Sequence, residues 1–183
     1  MILSLTGTPG VGKSSIAKIL ENKYRVINLV KFALENNFVL GYDKERESYI
    51  IDMDGLKDKL KRTLLKSEYY ILDSHLSHLI DFSDKVIVLR CRPDILRKRL
   101  KGKGWKKEKI EENVEAEILD IILSEAVEIH GIRKVFEIDT SDKTVEEVAK
   151  IIEELIEGKL DYESYRAGKI DWSEYIGGKK DAR

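Results

Sequence analysis

The chain of 183 residues contains no glutamine, one cysteine, two prolines and two methionines. With Cys91 alone, neither a disulfide framework nor a four-cysteine zinc site is possible. No stretch approaches the ~20 apolar residues that span a bilayer, so no membrane partner is expected. The first residues read as a strand running straight into a glycine turn, which argues against a signal peptide and for a cytoplasmic protein. Nor does either charge dominate. Lys and Arg total 33 against 34 Asp and Glu, a net charge of -1, so nothing global calls for nucleic acid or an acidic surface. There is no repeat and no low-complexity segment. What is abundant is charge itself, 37% of the chain. Together with the missing glutamine, that composition fits proteins of very hot environments, biased codon usage being the alternative. The length suits one domain with a sizeable core.

Glycine is neither scarce nor abundant at 12 residues, and Gly7, Gly10 and Gly12 fall together in Gly7-Thr8-Pro9-Gly10-Val11-Gly12-Lys13-Ser14. This is the phosphate-loop pattern G-x-x-x-x-G-K-[ST]. Backbone N–H groups must point inward around phosphate oxygens, and a helix must start at once so that its positive end faces the nucleotide. The context fits: Ile2-Leu3-Ser4-Leu5-Thr6 is a short apolar strand, and Ser15-Ile16-Ala17-Lys18-Ile19-Leu20 continues as an amphipathic helix. Lys13 reaches the β- and γ-phosphates of ATP, and the Ser14 hydroxyl is placed for Mg²⁺. Gly10, Val11, Gly12, Lys13, Ser14 and Ser15, with Lys103 from the basic stretch downstream, form the expected nucleotide-binding set.

Further strands are predicted at residues 25–29, 69–73, 85–90 and 135–139, alternating with helices. The implied fold is α/β, a five-stranded parallel sheet flanked by helices. Residues 44–54 have no clean period and read as an irregular loop. Helices are expected at 31–36, 56–67 (Leu56, Leu60, Leu64 and Leu65 on one face), 94–100, 110–130 and 145–157. Tyr69-Tyr70-Ile71-Leu72-Asp73 ends on a carboxylate, the place of a Mg²⁺ ligand beside a phosphate loop. The alternative is a strand-end aspartate that caps the next segment. Two residues on, His75 becomes a candidate for positioning water. Ten basic residues from Arg90 to Lys109, with Gly102 and Gly104, suit a lid over nucleotide phosphates. A solvated helix face and an RNA-contacting patch are the other readings. The tail, residues 158–183, carries Tyr162, Tyr165, Trp172 and Tyr175 among mixed charges. It either docks on the domain of residues 1–157 or binds a partner.

The stretch Leu5 to Ser14, Gly41-Tyr42-Asp43, Asp73-x-His75, Val88-Leu89-Arg90, Arg99-Leu100, Glu112-Asn113 and Glu117-Ile118 together resemble the small nucleoside monophosphate kinases. More closely, the chain looks like adenylate kinase isoenzyme six and its archaeal relatives, the ribosome-maturation kinases. Asp-x-His is the most discriminating item, since ordinary adenylate kinases lack it. The resemblance covers residues 1–157. It implies an acceptor segment near 28–51, a short lid near 102–112, and both phosphoryl transfer to AMP or another nucleoside monophosphate and ATP hydrolysis. Lys13, Asp73, His75 and Arg99 would be the catalytic set, Ser14 and Asp73 the Mg²⁺ ligands. It also implies help in late small-subunit ribosome maturation, through a platform ribosomal protein on the pre-ribosome. Two departures stand out. Lys103-Gly104-Trp105 replaces a lid arginine, which keeps charge but loses a bidentate grip. Leu34 stands where an acceptor-side arginine is expected, leaving Lys31, one turn earlier, or Arg46 to hold the acceptor phosphate. Two further readings are an assembly-factor ATPase with incidental kinase activity, and another small-molecule kinase of the shikimate or dephospho-coenzyme A type. A monomer is expected.

Overall fold

Five short apolar runs line up as one parallel sheet in a computed structural model that describes residues 1–64 and 68–177. They are β1 (Ile2–Gly7), β2 (Arg25–Asn28), β5 (Tyr70–Asp73), β6 (Lys85–Arg90) and β7 (Val135–Asp139), in the spatial order β2-β5-β1-β6-β7. All four pairings are parallel, so β1 lies in the centre with β5 and β6 beside it. This arrangement sends the C-terminal ends of β1 and β5 to the same edge, where Gly7 and Asp73 emerge. Parallel strands are covered on both faces, which explains why Tyr70–Asp73 and most of β6 are buried without alternation.

Helices α1 (Lys13–Leu20) and α7 (Val145–Ile156) pack against each other over one face, on Leu3, Leu5, Ile71, Ile87, Leu89 and Ile138. On the other face α2 (Leu29–Glu35) and α3 (Met53–Thr63) cover Leu72, while α6 (Ile121–His130) covers Val86 and Val88. Each fully buried Leu, Ile or Val contributes about 1.5–3 kcal/mol. α7 starts at a capping box: Thr144 accepts from Glu147 N–H, and the Glu147 carboxylate accepts from Thr144 N–H. α3 starts on Asp52, whose side chain accepts from Gly55 N–H. The expected C-terminal turn of α3 at residues 65–67, with Leu65, lies outside the described residues.

Two expectations are corrected. Residues 44–54 are not irregular: β3 (Val39–Asp43) and β4 (Ser48–Ile51) form an antiparallel hairpin, followed directly by α3. Its turn is made by Asp43, whose carboxylate accepts from Glu45 N–H and Arg46 N–H, and by Glu47 at φ 50. The cross-strand pair Tyr42 and Tyr49 adds an edge-to-face ring contact at 5.2 Å.

The second correction concerns the long helix expected over 110–130. It is two helices, α5 (Lys107–Ile118) and α6, broken at Asp120 with φ 54. The cause is Arg90. Its guanidinium donates to the Glu117 carbonyl at 3.2 Å and pairs with the Asp120 carboxylate, capping the end of α5. A short α4 (Pro93–Gly102) precedes α5, leaving only residues 103–106 between them.

Candidate active site

The loop after β1 is shaped by glycine where nothing else fits. Gly7 has φ 135, and a Cβ there would sit 2.4 Å from the Leu89 carbonyl oxygen on β6. Gly12, at φ 107, is the N-cap of α1 in a left-handed conformation that any side chain would strain. Ser14 and Ser15 are exposed on the first turn of α1. Lys13 bends back over the loop and donates to the Gly7 carbonyl at 2.5 Å and the Thr8 carbonyl at 3.1 Å. Burial pulls its ammonium down to about 8, while Asp73 and Glu117 pull it back up and Lys103 lowers it further.

Asp73, at the end of β5, is buried and accepts from Asn28 Nδ2 at 3.2 Å. Burial raises its carboxyl above the usual range, with the Asn28 hydrogen bond and Lys13 opposing. His75 follows on the same edge. Burial, then Lys13 and His78, push its imidazole down to about 4, so the ring is neutral near pH 7. Lys13, Asp73 and His75 thus share one edge of the sheet, and the charge of Lys13 acts on both of the others.

Two cavities flank the loop. One, about 210 Å³, is lined by Gly10, Val11, Gly12 and Ile16 together with Arg99 and residues of the loop entering α7. Arg99 donates to the Thr140 carbonyl at 2.8 Å and hydroxyl at 3.1 Å. Thr140 in turn donates its buried hydroxyl to the carbonyl of Val11, or to that of Arg90. The other cavity, about 440 Å³, has Thr8, Pro9 and His75 on one wall. The hairpin tip, Arg46 to Ser48, and Trp105, Lys109, Glu112 and Asn113 make the opposite wall. The hairpin is tied to α5 by two ion pairs of opposite sense, Arg46 with Glu112 at 3.1 Å and Glu47 with Lys109 at 3.4 Å.

The basic stretch divides. Arg90 is 1% exposed and paired with Glu117, Glu137 and Asp120, so it belongs to the core and not to a lid. Arg97 pairs with Glu111, and Arg92 with Asp94 and Asp142. Lys103, exposed at the end of α4, is close enough to Lys13 to depress its basicity. Of the three residues expected near an acceptor phosphate, the larger cavity is lined by Arg46 but by neither Lys31 nor Leu34. Lys31 instead lies 3.8 Å from Glu35 on the exposed face of α2. Sequence reasoning met Trp105 and Lys109 only as members of the basic lid stretch, and it gave Thr140, which carries no motif, no role. Thr140 had one usable signal, its place at the C-terminal end of the last strand.

A family model described as "AAA domain" matches residues 3–120. Two archaeal proteins named "Putative adenylate kinase" are similar over most of the chain. That of Natronomonas pharaonis is 42% identical, covering 87% of this chain and 92% of its own. That of Pyrococcus abyssi is 46% identical, covering 85% and 82%. Among solved structures, shikimate kinase from Bacteroides thetaiotaomicron superposes with a TM-score of 0.53 over 86% of this chain and 98% of its own, at 17% identity. That likeness is one of fold alone.

Proposed function

We propose, from the premise that the chain belongs to the archaeal adenylate kinase family, that it transfers the γ-phosphoryl group of ATP to a nucleoside monophosphate. The observation that carries this reading is a phosphate loop with a cavity on each side. The smaller cavity, beside Gly10 to Gly12, suits the base of the donor, and the larger, beside Thr8, Pro9 and His75, suits the acceptor. Between them Lys13 meets the phosphoryl group in transit. An oxygen of the acceptor phosphate forms the new P–O bond as the bond to the β-phosphate oxygen breaks, and ADP leaves with those electrons.

Among the described residues no cluster of three or more His, Cys, Asp or Glu side chains could hold a metal. Mg²⁺ bound mainly through phosphates and water needs only one carboxylate and one hydroxyl, so Asp73 and Ser14 fit it. When bound it would neutralise charge across the β- and γ-phosphates. Arg99 and Lys103 belong to the donor side in this reading, Lys103 as a point charge. The lid of residues 102–112 reduces to the turn at 103–106 and the start of α5, and the acceptor segment of 28–51 includes the hairpin.

Acceptor-free ATP hydrolysis is part of the proposal. Neutral His75 offers a ring nitrogen to accept from a water, which imidazolium does not. The ribosome-maturation role rests on the family resemblance, and the hot-environment reading on the charged composition. The test is a panel of nucleoside monophosphates, shikimate and dephospho-coenzyme A with MgATP, run beside hydrolysis without acceptor. Transfer to AMP or another monophosphate is expected. Hydrolysis alone, stimulated by pre-ribosome or a platform protein, would favour the assembly-factor reading instead.

A further inference from the structure

A buried cluster of charged side chains lies behind the phosphate loop. Arg90, Glu117 and Glu137 are each 3% exposed or less. One guanidinium therefore faces two buried carboxylates, with Asp120 as a third, half-buried partner. Two carboxylates offer more acceptor sites than one guanidinium can fill, and unfilled buried acceptors are costly. The tail supplies what is missing. Lys169 N–H and Ile170 N–H donate to Glu137 Oε1 at 2.5 and 2.8 Å. The Trp172 indole N–H donates to Glu117 Oε1 at 3.2 Å, and its ring is 7% exposed.

Glu117 is the pivot. Its Oε1 accepts from Arg90 Nε at 2.8 Å, Cys91 N–H at 3.1 Å and Trp172. Its Oε2 accepts from the Thr8 hydroxyl at 2.5 Å, inside the phosphate loop. Three donors on one oxygen fix the carboxylate so that the other faces Thr8. The Thr8 carbonyl, in turn, is one of the two that hold Lys13. A continuous hydrogen-bonded path therefore leads from the tail to the lysine.

We infer that Trp172 is a positioning residue for the phosphate loop, acting through Glu117 on Thr8. It touches no nucleotide; it sets the loop that does. The inference rests on the nucleotide-binding reading of that loop. It gives the tail a role inside the molecule in place of a role toward partners.

The test measures MgADP binding by calorimetry, with full-length wild type, Trp172→Phe, Thr8→Val and the double variant. Tyr162→Phe serves as a control, because Tyr162 anchors the tail on Leu155 O and Lys85, away from Glu117. Phenylalanine keeps the ring and removes only the donor. The expected result is binding weakened by roughly three- to tenfold in Trp172→Phe. The double variant should be no weaker than Thr8→Val alone, because both act on one path. Tyr162→Phe should bind as wild type does, and the loss in Trp172→Phe should appear in the KM for ATP more than in kcat. Unchanged binding in Trp172→Phe would overturn the inference, as would losses that multiply in the double variant or an equal loss in Tyr162→Phe. A wild type that binds no MgADP would overturn the nucleotide reading itself, and this inference with it.

Discussion

Lys13 is held near pKa 8 by burial before any phosphate reaches it, and that makes its charge titratable in a useful range. The free protein loses this charge as pH rises through about 8, whereas bound phosphates favour the charged form and raise its pKa. The expected profile is a kcat/KM for ATP that falls above pH 8 while kcat holds to higher pH, measured in a coupled assay. Lys13→Ala should cut turnover by on the order of 10²-fold or more, with a circular-dichroism melt near wild type. Among the described residues its ammonium donates to two loop carbonyls and to no side chain, so the fold does not depend on it. Normal turnover in this variant would remove the loop from the chemistry. Asp73 and His75 should separate by role. Asp73→Asn should weaken transfer and hydrolysis alike, because both would use the Mg²⁺ that Asp73 is proposed to hold. His75→Ala should impair hydrolysis more than transfer, and a parallel fall in both would exclude water positioning. The placement of these residues on one edge of the sheet was legible because its signals are local. A glycine, a lysine and a strand-end carboxylate each announce themselves within a few positions of sequence. Arg90 was misread for the opposite reason: its carboxylates are 27, 30 and 47 residues away.

At the scale of elements, the hairpin β3–β4 brings Arg46, and not Lys31, to the larger cavity, which is the proposed acceptor site. Its tip carries Arg46 to the cavity wall opposite His75, while Lys31 stays on the outer face of α2 with Glu35. Arg46 is largely exposed and its pairing with Glu112 is exposed too, so solvent screens it and an incoming phosphate can take it over. Arg46→Ala should therefore raise the KM for AMP by roughly tenfold, the scale of one charge-assisted contact, with little effect on acceptor-free hydrolysis. Lys31→Ala should leave both unchanged, and initial-rate kinetics with varied AMP distinguish the two. A KM that moves with Lys31 and not with Arg46 would return the acceptor site to α2. The hairpin escaped the sequence because its turn, Lys44-Glu45-Arg46-Glu47, has no glycine and its strands expose Leu40, Tyr42, Tyr49 and Ile50. Pattern reading seeks an apolar face turned inward, and here much of the apolar surface points out. The facing Tyr42 and Tyr49 were the signal available. The break between α5 and α6 carried no glycine or proline either; it is imposed by a guanidinium from β6.

For the whole molecule, the tail is part of the domain as far as residue 177; residues 178–183 lie outside the described residues. Arg166 bridges to Phe136 at the edge of β7, Tyr162 stacks near Phe136 at 5.5 Å, and the Tyr175 hydroxyl donates to Asp94 at 3.2 Å. Deleting residues 158–183 would strip three donors from Glu117 and Glu137, each worth about 1–3 kcal/mol when a buried partner is lost. The truncated chain should lose at least about 3 kcal/mol in denaturant unfolding or fail to stay soluble. An unchanged midpoint would show the tail to be an accessory. The alternation of strands and helices, the five-stranded parallel sheet and the phosphate loop were all determined by the sequence itself. Each depends on propensity, period or backbone freedom, which act over a few residues and leave a mark in every short window. The tertiary structure alone decided where the tail goes, what Arg90 pairs with and that Arg46 rather than Lys31 lines the larger cavity. Those are contacts between distant segments. Periodicity says which face of a helix is apolar but not what that face will meet, and a charge in the sequence does not say whether folding leaves it in water or buries it beside its partners.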